Sequence, residues 1–256
     1  GEEAGFENTT GDDNTFVGYS AGHNNTDGTN NTFIGRSAGY WNDNDNEATA
    51  TGNDNTFIGN EAGNNNKGGD RNTFVGSEAG RLNMFGNDNT FIGYRSGINN
   101  TLDGVYEGEA NTFVGGFSGF SNTIGCFNTF IGTNTGFFNQ TAINLTFVGH
   151  NSGYYNTTGR KNTFIGAGAG FYNDHDDQGE ATGDSNTFIG YTAGFKNRDG
   201  DNSTFVGSEA GYSNITGFEN TFVGHNSGHD NSSGYKNSFL GKDSGEANTE
   251  GYHNTF

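Results

Sequence analysis

Apolar residues in this chain come in adjacent pairs, and the pairs recur at fixed intervals. A Phe followed by Ile or Val, once by Leu240, sits in strings of the type Asn-Thr-Phe-[Ile/Val]-Gly, with Phe at 16, 33, 57, 74, 91, 113, 130, 147, 164, 188, 205, 222, 239 and 256. The interval is 17 residues except for three of 24, 22 and 24. Between the pairs the chain is polar and rich in Gly, and the unit reads N-T-F-[IV]-G-x-x-[AST]-G-x-x-N-x-x-G-x-x, numbered here one to seventeen from its first Asn. No stretch carries a sustained helical period, and 17 residues are too few for a pair of helices. Gly at positions five, nine and usually fifteen suits corners, and the β-branched Thr, Ile and Val suit a short strand. The pattern predicts an all-β fold, a parallel β-solenoid (β-helix or β-roll). It would run as one continuous repeat domain over residues 1–256, with 14 coils of about 17 residues. One strand spacing per coil, about 4.8 Å, makes a rod of roughly 65–70 Å.

Every repeat position then becomes a stacked column. Neighbours along a strand point to opposite faces, so the Phe and the Ile/Val cannot both enter one core. Phe inward, opposed by small residues at positions eight and nine such as Ala21-Gly22 and Ala38-Gly39, gives complementary volumes. Phe16, Phe33, Phe57, Phe74 and Phe91 are thus expected as an inner ladder, and Val17, Ile34, Ile58, Val75 and Ile92 as an outer column. Such an outer column, with its Thr neighbours, would expose on the order of 600–700 Å², more than monomers usually leave bare, and it predicts a partner surface. Position twelve is Asn throughout, as at Asn25, Asn42, Asn66 and Asn83, and position one is Asn in all but Leu145 and Ser203. Identical amides stacked coil on coil can hydrogen-bond up and down the column, so both positions are candidate Asn ladders.

Composition sharpens this reading. Only 29% of the residues are hydrophobic and the net charge is −19, which in an aperiodic chain would indicate disorder; here the apolar residues are concentrated in the repeat. With Lys and Arg numbering 11 against 30 acids, the chain is a poor match for nucleic acid, whose phosphates need clustered cations. No apolar run reaches the roughly 18 residues of a membrane-spanning helix, so no membrane insertion is expected, and no signal peptide is visible at residues 1–30. A lone Cys126 excludes an internal disulfide framework.

The unit resembles the 17-residue repeats found in phage tail-fibre-like and bacterial surface proteins. The similarity is carried by Asn14-Thr15-Phe16-Val17-Gly18, Ser20-Ala21-Gly22, Asn25-Thr26 and Tyr154-Tyr155-Asn156-Thr157-Thr158-Gly159. More distantly it is similar to the heads of trimeric autotransporter adhesins. Those relatives carry Ala then Leu at positions three and nine where this chain carries Phe then Gly, as if bulk had moved across one shared core. What the resemblance implies is a fibrous, often oligomeric rod on a cell or virion surface; no C-terminal chaperone domain of the tail-fibre kind is recognisable.

Gly1 falls at repeat position five and Phe256 at position three, with no divergent capping coil at either end. That predicts either head-to-tail stacking into a filament or an excerpt from a longer array. The three insertions follow the position-twelve Asn, near residues 43–49, 101–110 and 174–180, and so should project from one edge of the rod. Two carry acidic runs. Asp43, Asp45, Glu47, Asp174, Asp176 and Asp177 offer the oxygen donors that Ca²⁺ prefers, and they equally suit a solvated acidic loop. Aromatic pairs at positions ten and eleven (Tyr40-Trp41, Phe137-Phe138, Tyr154-Tyr155, Phe171-Tyr172) could stack on a surface glycan or simply cover a corner. No nucleophile and base are set together in the sequence, no other cofactor is implied, and the chain is not expected to be an enzyme. The leading expectation is a structural subunit of an extracellular fibre that self-associates end to end or laterally. An adhesin or receptor-binding shaft and an ice-binding solenoid are the alternatives.

Overall fold

The computed structural model describes residues 1–43, 52–100, 108–174 and 183–256. They form two compact units, Gly1–Asn128 and Thr129–Phe256, and no described residue is helical. Each unit is an all-β parallel solenoid with coils of about 17 residues.

In the first unit the strands are β1 (Thr15–Val17), β2 (Thr32–Ile34), β3 (Thr56–Ile58), β4 (Thr73–Val75), β5 (Thr90–Ile92) and β6 (Thr112–Val114). In the second they are β7 (Thr129–Ile131), β8 (Thr146–Val148), β9 (Thr163–Ile165), β10 (Thr187–Ile189), β11 (Thr204–Val206), β12 (Thr221–Val223) and β13 (Ser238–Leu240). Within each unit successive strands pair in parallel, and like residues face like: Phe16 pairs Phe33, Phe74 pairs Phe91, and Phe205 pairs Phe222. The longer intervals leave this register intact, since Thr32 still pairs Thr56, Thr90 pairs Thr112, and Thr163 pairs Thr187.

Three residues make each strand, so most of a coil is corner. Corners this tight need unusual backbone. At position five φ lies near +140°, and Gly is required for space as well as conformation: a Cβ on Gly18 would stand 2.3 Å from the carbonyl oxygen of Gly35 in the next coil. At position nine the backbone lies against the Phe ring of its own coil, and a Cβ on Gly39 would stand 2.5 Å from the Phe33 ring. Positions seven and seventeen are also left-handed, yet carry ordinary residues such as Ser37 (φ 52°), Glu78 (φ 57°) and Lys161 (φ 58°). Their strain is of order 1 kcal/mol each by general experience with such backbones, and it persists because inter-coil backbone bonds hold them, for example Ser37 N–H to the Tyr19 carbonyl at 2.9 Å.

The core follows the expected division of faces. Phe33, Phe57, Phe74 and Phe91 are fully buried and Phe16, in an end coil, is half-buried. Their rings stack along the unit with centroids 4.8–5.3 Å apart. The second unit repeats the column from Phe130 and Phe147 to Phe239 and Phe256. Ala38, Ala62 and Ala79 at position eight fill the space opposite and are fully buried. Val17 is 54% exposed and Ile34, Ile58 and Ile92 are 37–39% exposed, so this column faces out, with Val75 half-buried among them.

The two faces make a direct comparison possible. Phe91→Ala should destabilise the fold by about 3–5 kcal/mol, whereas Ile92→Thr on the opposite face should cost under about 1 kcal/mol, both read from urea unfolding of the intact chain. Comparable losses would mean that the face assignment is wrong.

Candidate interaction surfaces and the ladders behind them

Two amides per coil lie inside, and they work differently. At most steps of position twelve, Nδ2 of an Asn donates to Oδ1 of the Asn one coil back: Asn42 to Asn25 at 2.7 Å, Asn66 to Asn42 at 3.0 Å, Asn83 to Asn66 at 2.8 Å. The same Nδ2 also donates to the position-fifteen carbonyl of its own coil, as Asn83 does to Gly86 at 2.8 Å. In the second unit the pattern holds from Asn173 onto Asn156 through Asn248 onto Asn231. Position one is no side-chain ladder in this sense. Oδ1 of Asn72 accepts the backbone N–H of Asn89 at 2.9 Å, and its Nδ2 donates to the carbonyl of Gly86 at 2.8 Å. Each position-one amide therefore ties its own coil to the backbone of the next. Ser203 keeps half of this arrangement, with Oγ accepting the N–H of Asn220 at 3.2 Å.

The outer face of each unit is a flat grid. Thr at position two and Ile or Val at position four point the same way from a parallel sheet, and the pairing sets Thr against Thr and Ile or Val against Ile or Val, except where Thr221 meets Ser238 and Val223 meets Leu240. The result is a stripe of methyl groups and hydroxyls with no charged residue within the strands.

The aromatic corner stacks on itself. In the second unit Phe137, Tyr154, Phe171, Phe195, Tyr212 and His229 form one column with centroids 5.0–5.2 Å apart. Phe138, Tyr155 and Tyr172 form another beside it. In the first unit Tyr40 stacks on His23 at 4.8 Å and meets Trp41 edge-on. Ring faces inside these columns are covered by neighbouring rings, so the edges look outward, and burial pushes the Tyr154 phenol upward in pKa.

At the insertion edge, Asp43 and Asp174 are almost fully buried. In a regular coil the position-thirteen carbonyl receives two backbone N–H groups of the coil before it, as Thr26 does from Thr9 and Thr10. Where the chain leaves for an insertion, a carboxylate takes part of that role: Asp43 accepts from Thr26 Oγ1 at 2.6 Å and from the Asp27 N–H at 2.8 Å. Asp174 accepts from Thr157 Oγ1 at 2.8 Å, the Gly159 N–H at 2.8 Å and the Thr158 N–H. Burial raises the Asp174 pKa while these donors oppose the rise. Asp45, Glu47, Asp176 and Asp177 lie outside the described residues, as do most of the three insertions. Among the described residues no three His, Cys, Asp or Glu side chains are grouped to hold a metal. Cys126 is buried, and desolvation raises its thiol pKa, which makes it a poor nucleophile.

No family model, curated protein or solved structure matches this chain.

The position-twelve column predicts a specific pH signature. Asn83→Asp keeps the acceptor for Asn100 but presents oxygen instead of N–H to Asn66 and Gly86, and buries a charge. The variant should lose about 3–5 kcal/mol at pH 7. Its carboxyl pKa is raised in the folded state, so the deficit should shrink as pH falls and the protonated acid recovers one donor. A deficit that is small, or that grows on acidification, would contradict the ladder geometry.

Proposed function

We propose that this chain is a structural element of an extracellular fibre, a stiff repeat shaft that associates with further copies of itself through the Thr and Ile/Val face. The observation that carries the reading is the outer column, in which Ile34, Ile58 and Ile92 are more than a third exposed while the Phe beside each is buried. Ile131, Ile165 and Ile189 repeat this in the second unit. Six or seven coils of such a stripe, each about 4.8 Å by 10 Å, present roughly 300 Å² of regular surface per unit, comparable to the largest patch on a typical monomer and far more ordered. A repeat surface also suits a repeat partner: a second copy offers the same spacing at every rung, whereas an irregular protein matches it at few.

The remaining features agree with a load-bearing role outside the cell. Most of the backbone bonds described run between adjacent coils, so each rung is held by its neighbours. Among the described residues no helix is long and apolar enough to cross a membrane. On this reading the chain is not an enzyme, and its acidic surface keeps shafts from packing by any route except the uncharged stripe.

Lateral assembly should appear as concentration-dependent mass in sedimentation velocity. Ile34→Lys with Ile58→Lys, both outward, should leave circular dichroism unchanged and shift the assembly constant by at least about tenfold towards single chains. A wild-type chain that stays single at all concentrations would overturn the proposal; if it also produced thermal hysteresis, the Thr and Ile/Val grid would have to be read as an ice-binding face.

A further inference from the structure

One position in the second unit breaks its column. Position seven carries a residue other than Gly in all the remaining described coils, always left-handed, with φ between 49° and 58°. Its members reach one another across coils: Ser20 Oγ donates to the Glu3 carboxylate at 3.1 Å, and Arg95 clasps Glu78 with two bonds at 3.1 Å. At residue 168 the position is Gly, and beside it position six is Ala167. The backbone bonds set the stacking order, since Gly168 N–H donates to the His150 carbonyl at 3.0 Å and Thr192 N–H donates to the Ala167 carbonyl at 2.9 Å. Gly168 therefore lies between Asn151 and Thr192, and Ala167 between His150 and Tyr191.

The missing side chains leave a notch of about 280 Å³, open to solvent and lined by His150, Asn151, Ala167, Phe171, Tyr191 and Thr192, with Gly168 at its base and Phe195 beside it. Two buried oxygens at this notch, Asn151 Oδ1 and Thr192 Oγ1, have no hydrogen-bond partner among the described residues. Tyr191 is 60% exposed and, unlike the stacked aromatic residues of positions ten and eleven, meets no other ring among the described residues. It stands two coils from His150, about 10 Å at one strand spacing per coil, so a ring placed midway would sit near 5 Å from each. That is the spacing of the chain's own stacked columns.

We infer that the Gly168 notch is a binding site for a single neutral pyranose ring, as presented by a terminal sugar. The cavity is ring-sized, at the lower end of small-molecule sites. Sugar hydroxyls can donate to the Asn151 and Thr192 oxygens, which at present have no donor. The C–H face of a pyranose suits the uncovered Tyr191 ring, and aromatic residues with a polar tip serve such mixed contacts. Neutrality follows from a net charge of −19 and from the lack of any Lys or Arg on the notch, which disfavours phosphorylated or sulfated ligands. This inference stands apart from lateral assembly, since the notch lies on the position-six and position-seven columns and not on the Thr and Ile/Val face.

The test uses nuclear magnetic resonance of the full chain titrated with the methyl glycosides of glucose, galactose, mannose and N-acetylglucosamine. At least one should perturb the side-chain signals of Tyr191, Thr192 and Asn151. Gly168→Asn restores the residue type found at this position in Asn134, Asn151 and Asn226, whose φ of 53–55° is close to the 67° of Gly168, and a Cβ there meets Thr192 Cγ2 at 3.2 Å and the Phe195 ring at 3.6 Å. It should fold normally and weaken binding by at least about tenfold. Tyr191→Ala, at an exposed position, should weaken binding similarly with the fold intact. No perturbation by any of the glycosides, or equal binding to the Gly168→Asn chain, would overturn the inference.

Discussion

Every regular coil of this protein buries carboxamides, and their self-complementarity constrains the rest of the structure. A buried amide with no partner costs about 1–3 kcal/mol, so a core that repeats one in each coil is tolerable only if nearly every copy is satisfied. Asn alone among the short side chains carries two donors and an acceptor oxygen, so identical residues can donate backward and accept forward without limit. Asp would supply only acceptors and Ser too few donors. Asn83 shows the full set: it donates to Asn66 and Gly86 and accepts from Asn100 and Asn89. The bonds close only when successive coils are one strand spacing apart and in register. The amide column therefore fixes coil pitch, and with it the stacking of everything else.

That constraint explains the low apolar content. With asparagines occupying much of the interior, the apolar share of each coil shrinks to one Phe and one small residue at position eight. Stacked rings at 4.7–5.3 Å use the same pitch as the amides, so the two columns reinforce one spacing. Gly at position nine lets the backbone meet the ring directly. Insertions survive because they leave and return at a corner: Asn66 still reaches Asn42 across 24 residues at 3.0 Å, while Asp43 closes the gap left by the departing chain.

Much of this was legible in the sequence because the repeat multiplies each signal. The period, the parallel coils, the inward Phe and the outward Ile/Val all follow from two-residue alternation and the volumes at positions eight and nine. What was hidden depends on partners that a column of letters does not name. Positions one and twelve are both Asn, yet successive position-twelve amides bond to one another while position-one amides reach the backbone and the position-twelve oxygens. The left-handed backbone at positions seven and seventeen hosts Glu, Arg, Phe and Lys, because inter-coil bonds override residue preference there. Asp43 and Asp174 read as cation ligands, and the structure places both inside, receiving N–H and hydroxyl groups. Gly168 falls at a variable position of the unit and does not stand out in the sequence; the notch exists because Ala167 is small too and Asn151 and Thr192 flank the pair.

The most direct test of the amide account is hydrogen exchange of the side-chain Nδ2 protons by nuclear magnetic resonance. Those of Asn42, Asn66 and Asn83 should exchange as slowly as the backbone amides of Phe57 and Phe74, because only the opening of stacked coils releases them. Those of Asn60, exposed on the surface, should exchange at once. Rapid exchange at Asn42, Asn66 and Asn83 alongside protected strand amides would show that the buried column does not hold the coils together.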